Sequence, residues 1–258
     1  MNISLYERLI SEITTEKPLI ANEIKTLYIV SLEDGVVSGL EESAQLLSYY
    51  NPELVARKHK QDGDLMRRGD VLLSVIGYTH ETIKLGRLIT RLISRMSGIA
   101  TLTKQYVDKL APTILLDPHY YTPGLKALEK QALIDGGASD LNFRLVSKEE
   151  INILGGFIKA YEKVNDTEDV LCYEIIDHLD FDEIKLRGLD VSYIMLTNFN
   201  KDALRFIIER REKLTLIPQG LYPLTSLDEI KLLGYRYLQT PLVIKAARSL
   251  ELMMTFSL

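Results

Sequence analysis

The chain of 258 residues lacks most features that announce a function. Its one cysteine, Cys172, excludes a disulfide framework and a cysteine-rich zinc site. No stretch approaches the roughly 18 uncharged apolar residues of a membrane span. The opening MNISLYERLISEITTEK is charged throughout and has no apolar signal-peptide run, so a cytoplasmic location is expected. Positive charge is not in excess: 31 Lys and Arg face 36 Asp and Glu, and 31 − 36 = −5. That balance argues against nucleic-acid binding, which rests on clustered Lys and Arg. There is no glycine-rich phosphate loop of the P-loop or dinucleotide type. The four histidines, His59, His80, His119 and His178, share no i,i+4 ligand spacing, so no metal site is assigned. What remains is ordinary globular composition, 46% hydrophobic and 26% charged, in a chain long enough for one large core or two modest ones.

The first 80 residues read as a mixed α/β unit. A helix is expected over 5–14 and a β-rich strand over Ile24 to Leu32. The turn signal Asp34-Gly35 follows, then a helical pattern from Leu40 to Tyr50. Asp62-Gly63 and Gly69-Asp70 mark turns before a strand at Val71 to Ile76. Residues 81–96 give the clearest helix, with Leu85, Leu88, Ile89, Leu92, Ile93 and Met96 at helical spacing. Arg87, Arg91 and Arg95 sit four apart and line one face, either as a solvated basic surface or as an anion-recognition stripe. From residue 113 the texture changes to short apolar runs separated by helical segments: TILLD, LNFRL, VLCYEII, YIMLTNF, LTLIPQG and YRYLQT. Alternation of this kind implies βα units around a parallel sheet, closed or nearly closed into a barrel.

Chemistry in such a fold gathers where strands end. The residues expected there are Asp117 to Tyr121, Asn142, Arg144, Glu174, Thr197-Asn198, Gln219-Gly220 and Gln239-Thr240. From these, with Arg87, come the candidate ligand residues Arg87, Asp117, His119, Tyr120, Asn142, Arg144, Glu174, Asn198 and Gln219. Thr122-Pro123-Gly124 has the form of a helix start, with Thr122 as a cap and Pro123 at the first helical position. No Ser-His-Asp or Cys-His set emerges, and no catalytic residue is assigned.

Residues 95–126, RMSGIATLTKQYVDKLAPTILLDPHYYTPGLK, resemble the quinolinate phosphoribosyltransferases (nicotinate-nucleotide pyrophosphorylases, carboxylating). That family carries a stretch like QRLSGIAT and a strand ending in DTRKTTPGLR. The likeness continues through LEKQALIDGGASD, YIMLTNF and the closing ARSLELMMTFSL, read as a last helix. It implies an α/β protein of type II phosphoribosyltransferase kind. An N-terminal α/β sandwich is expected over 1–105 and an incomplete βα barrel over 106–258, the last helix packing back on the first domain. It also implies a homodimer with an intersubunit cleft reached by Arg87, and Mg²⁺ if phosphoribosyl diphosphate is bound.

The family's ligand positions are where this sequence departs. The Arg-Lys pair of DTRKTTPG falls on His119 and Tyr120, and the following His-Arg pair on Leu141 and Asn142. The aspartate of the IMLDN strand becomes Thr197. Four lost charged contacts, at roughly 1.5–3 kcal/mol each, amount to about 6–12 kcal/mol. The resemblance therefore leads to a divergent member with lost or altered phosphoribosyl transfer and a less anionic ligand or partner. The alternative is an active pyrophosphorylase of NAD biosynthesis with relocated basic residues.

Overall fold

A computed structural model describes residues 3–11, 13, 18–164, 167–211 and 213–257. The chain forms two compact units. The first comprises Met1–Lys104, Tyr121–Gly137 and Val243–Leu258, and the second Gln105–Tyr120 and Ala138–Leu242.

In the first unit, helix α1 (Ile3–Ser11) precedes β1 (Ile24–Ser31), β2 (Gly35–Val36) and helix α2 (Leu40–Tyr50). Then come β3 (Val55–Lys58), β4 (Leu65–Met66) and β5 (Val71–Tyr78), before the 32-residue helix α3 (Thr79–Leu110). Part of the helix expected over 5–14 lies outside the described residues. β1 pairs antiparallel with β5, and β5 with β3. Alternation puts Leu27 and Ile29 of β1 and Leu73 and Val75 of β5 on the buried face. Leu85, Ile89 and Ile93 of α3 recur every four residues and pack into the same core.

α3 runs well past the expected 96, through Ser97-Gly98. A Cβ on Gly98 would lie 1.9 Å from the carbonyl oxygen of Arg248, so the 248–249 backbone crosses the helix where only glycine fits. Ser97 Oγ accepts the Ser38 N–H at 3.0 Å, and Thr101 Oγ1 accepts the Val36 N–H at 2.8 Å.

The second unit holds β6 (Ile114–Leu116), β7 (Arg144–Val146), β8 (Leu171–Ile175), β9 (Tyr193–Thr197), β10 (Thr215–Gln219) and β11 (Tyr237–Gln239). All pairs are parallel, in the order β6-β11-β10-β9-β8-β7. Sequential strands are neighbours and the first pairs with the last, as in a βα barrel. Among the described residues β6 and β7 share no ladder; β6 meets only the segment ahead of β7, through one bridge from Leu116 to Ser139, so the barrel stops short of closure. Leu116, Cys172, Met195, Ile217 and Tyr237 form one core cluster. Helices follow the strands: α4 (Lys126–Asp135, part of the first unit), α5 (Lys148–Ile153), α6 (Phe157–Val164), α7 (His178–Arg187), α8 (Lys201–Ile208) and α9 (Leu227–Lys231). Ser147, Asp177 and Asn200 cap α5, α7 and α8 through their side chains, which fixes each loop at the carboxyl end of its strand.

Two expectations are corrected. After the short helix α10 (Leu242–Lys245), the chain forms strand β12 (Leu252–Thr255) rather than a last helix. The open edge of β1 takes it antiparallel, Tyr28 opposite Thr255 and Ser31 opposite Leu252, and tertiary pairing overrides local helix preference. Thr122 does not cap a helix. α4 starts later, at Lys126 after Leu125, and Thr122 instead donates both its N–H (2.7 Å) and its hydroxyl (2.8 Å) to the buried Glu129 carboxylate.

Candidate functional site

The two-residue period of a strand sends Glu174, Thr197, Gln219 and Gln239 to the same side of the sheet as Cys172, Met195, Ile217 and Tyr237, one step nearer the carboxyl ends. Gln239, Gln219 and Thr197 are in register across β11, β10 and β9. Thr197 donates its hydroxyl to Glu174 Oε1 at 2.7 Å, and the Lys148 N–H donates to Glu174 Oε2 at 3.1 Å. At the β6 end, Gln239 Nε2 donates to the Asp117 carbonyl. The result is a row with one polar group per strand: Asp117, Gln239, Gln219, Thr197, Glu174 and, after β7, Lys148.

The row has one carboxylate at its β6 end (Asp117) and another at β8 (Glu174), with two amides and a hydroxyl between them and Lys148 beyond. Asp117 is buried, and its Oδ1 accepts the His119 N–H at 2.8 Å. His119 takes a left-handed backbone (φ 52°), with its ring stacked on Phe143 (centroids 6.0 Å, interplanar angle 22°) and Nε2 3.5 Å from Asp140 Oδ1. The Lys148 ammonium is paired with Asp180 at 2.5 Å. Gln219 Oε1 is buried without a hydrogen-bond partner. Below the row, burial first and then the Glu174 charge push the Cys172 thiol up, so it is no nucleophile as it stands. Burial also raises the Tyr222 hydroxyl beyond β10 to about 12.

The candidates from sequence therefore divide. Asp117, His119, Glu174 and Gln219 stand at strand ends. Asn198 follows β9 in a left-handed conformation (φ 59°), exposed, its N–H donating to the Gln219 carbonyl at 2.8 Å. Tyr120 is exposed beside His119. Asn142 and Arg144 do not join them, because the strand is Arg144–Val146 rather than 141–145. Both are exposed at the start of β7, and Arg144 faces Asp169 at 3.8 Å. Lys148 holds the carboxyl-end position instead; the capping pattern Ser147-x-x-Glu150 was the signal for it. Arg87 and Arg91 are exposed on α3, whereas Arg95 donates to Glu129 at 3.2 Å and to the Ala247 carbonyl at 2.7 Å, so the stripe is not uniform. A cavity of about 190 Å³ beside β7 is lined by Val146, Glu150, Ile153, Leu154 and Leu171, and shares only Arg144 with the candidates.

A two-unit α/β protein with a polar row at the carboxyl ends of an incomplete parallel barrel defines a class of fold. A nicotinate-nucleotide pyrophosphorylase structure from Ehrlichia chaffeensis superposes with a TM-score of 0.89 at 20% identity, covering 100% of this chain and 99% of that one. Residues 12–97 match the quinolinate phosphoribosyl transferase N-terminal domain and residues 99–255 its C-terminal domain. The chain belongs to the quinolinate phosphoribosyl transferase family. The chloroplastic nicotinate-nucleotide pyrophosphorylase [carboxylating] of Arabidopsis thaliana is 28% identical over 144 residues, 54% of this chain and 41% of that protein. The match thus spans less than half the length of that relative. A probable nicotinate-nucleotide pyrophosphorylase [carboxylating] of Methanothermobacter thermautotrophicus is 27% identical over 215 residues, 78% of this chain and 75% of that protein. Among the described residues no helix is long and apolar enough to cross a membrane.

Proposed function

We propose that the polar row binds a small molecule less anionic than quinolinate with phosphoribosyl diphosphate, and that pyridine-carboxylate phosphoribosyl transfer is lost or altered in this chain. One observation carries the reading: the row pairs two carboxylates with amides, a hydroxyl and a single ammonium already held by Asp180. A diphosphate leaving group and two ring carboxylates call for several forked or point-charge cationic contacts. The row offers mainly uncharged hydrogen-bonding groups between its two carboxylates instead.

Magnesium, which phosphoribosyl diphosphate would bring, does not fit the middle of the row. Both Glu174 oxygens are engaged, and its neighbour is the alcohol of Thr197 rather than a second carboxylate. The reading includes a cytoplasmic homodimer, with Arg87 directed to the partner's cleft; its support is the family resemblance and the exposure of Arg87 on α3.

The second reading is an active nicotinate-nucleotide pyrophosphorylase. The names of the relatives favour it. Steady-state assay of quinolinate and phosphoribosyl diphosphate with magnesium separates the two. A kcat/KM near about 10⁴ M⁻¹s⁻¹, the low end for working enzymes, establishes the second reading and overturns the first. Turnover at background supports the first. A thermal-shift screen of neutral and monoanionic metabolites then identifies what stabilises the fold.

A further inference from the structure

We propose that Asp117, His119 and Asp140 form a binding site for a divalent transition-metal ion. One carboxylate oxygen from each aspartate and one ring nitrogen of His119 lie within 4.8 Å of one another. Ligands at about 2.0–2.2 Å from a shared ion stand up to about 4.4 Å apart, so small side-chain adjustments complete the set. The cluster is more than a surface group of acids. Asp117 is 3% exposed, and the set includes an imidazole, with His119 Nε2 3.5 Å from Asp140 Oδ1. The His119 ring is oriented by its stack on Phe143, and its backbone N–H is fixed on Asp117 Oδ1. Orientation of this kind is what an outer shell supplies to a metal-binding histidine.

Mixed imidazole and carboxylate donors select Zn²⁺, Co²⁺ or Mn²⁺ over Ca²⁺ and Mg²⁺. Three protein ligands leave a coordination position for water or for an oxygen of a bound molecule. The charge also favours it: a dication offsets two carboxylates, one of them buried, where the family resemblance places an Arg-Lys pair. Linear spacing could not reveal the set, because Asp140 arrives from the next loop. Asp117 belongs to both sets, so the ion would lie at the β6 end of the polar row, and its binding is read directly with the metal alone.

The test is isothermal titration of Co²⁺ and Zn²⁺ into the full chain after chelator treatment. One saturable site per chain is expected. His119→Ala and Asp140→Asn should each weaken it at least about tenfold, while His178→Ala, an exposed histidine elsewhere, leaves it unchanged. The His119 and Asp140 side chains are 45% and 35% exposed, so these variants should keep the fold. The wild-type protein gives an independent reading: substoichiometric Mn²⁺ should broaden the ring resonances of His119 ahead of those of the other three histidines. Absence of saturable binding, wild-type affinity in His119→Ala, or equal broadening of all four histidines would overturn the site.

Discussion

Glu129 is 1% exposed and collects three donors: Arg95 at 3.2 Å, the Thr122 N–H at 2.7 Å and the Thr122 hydroxyl at 2.8 Å. Arg95 also reaches the carbonyls of Ala247 (2.7 Å) and Ile244 (3.3 Å). One carboxylate thus ties α3, the 122–125 turn and the 244–247 segment together. Glu129→Ala removes the charge that satisfies all three donors and strands part of them. Breaking one side of a buried pair costs about 3–5 kcal/mol. Arg95 keeps partial solvent contact, its side chain 32% exposed, so the lower end, about 3 kcal/mol, is expected. At roughly 2–4 °C per kcal/mol for a chain of this size, Tm should fall by about 6–12 °C. Glu129→Gln keeps an acceptor for Thr122 and should lose only about 1–2 kcal/mol. Calorimetry reads both, and hydrogen exchange at residues 122–125 should rise before global unfolding in Glu129→Ala. A Glu129→Ala protein melting within about 1 °C of wild type, with the 122–125 amides still protected, would refute the reasoning.

Three further outcomes are expected. Glu42 has its carboxyl pKa raised, first by burial and then by the charges of Asp62, Asp135 and Glu41, and its Oε2 has no partner. A raised carboxyl contributes stability that is present below its unfolded value of 4.5 and lost as pH rises through the folded value. Glu42→Gln should therefore raise Tm at pH 7–8 and change little at pH 4, and the opposite pH trend in thermal melts would contradict this. Gly98→Ala places a methyl group against the Arg248 carbonyl, with the nearest backbone atom at 1.9 Å, and should cost about 1–3 kcal/mol in denaturant titration. Cys172, fully buried with its thiol pKa raised, should react with a thiol-specific disulfide reagent only at the global unfolding rate, whereas fast labelling of the native protein would show that the barrel interior opens.

Much of the scaffold was legible because burial leaves periodic marks. The four-residue spacing of Leu85, Ile89 and Ile93 announced α3, and the short apolar runs separated by helical segments announced the parallel strands. Elements decided by distant partners were not legible. Nothing local in LMMT says that β1 has an open edge waiting for it. LNFRL looks as apolar as a strand, yet the ladder begins at Arg144, where Leu171 lies opposite, and this moved Asn142 and Arg144 out of the site. Asp140 likewise joined His119 only through the fold.

The motifs that tie this chain most specifically to its family turn out to be joints. Ser97, Gly98 and Thr101 of SGIAT hold the segment around Val36 and Ser38 and let the Arg248 backbone cross the helix. Thr122 of TPGL is fastened through Glu129 to Arg95. Each joint is a close backbone approach or a buried carboxylate, and most substitutions there cost stability directly. The candidate positions at the strand ends carry no such burden. His119, Asn198 and Tyr120 are exposed, and Gln219 and Thr197 are half-buried at strand ends, so their identities can change while the fold stands. Agreement at joints therefore reports architecture, and the chemistry has to be read from the row itself. In that row amides and a hydroxyl separate two carboxylates, and it is on this charge arrangement, rather than on the shared motifs, that the proposed ligand class rests.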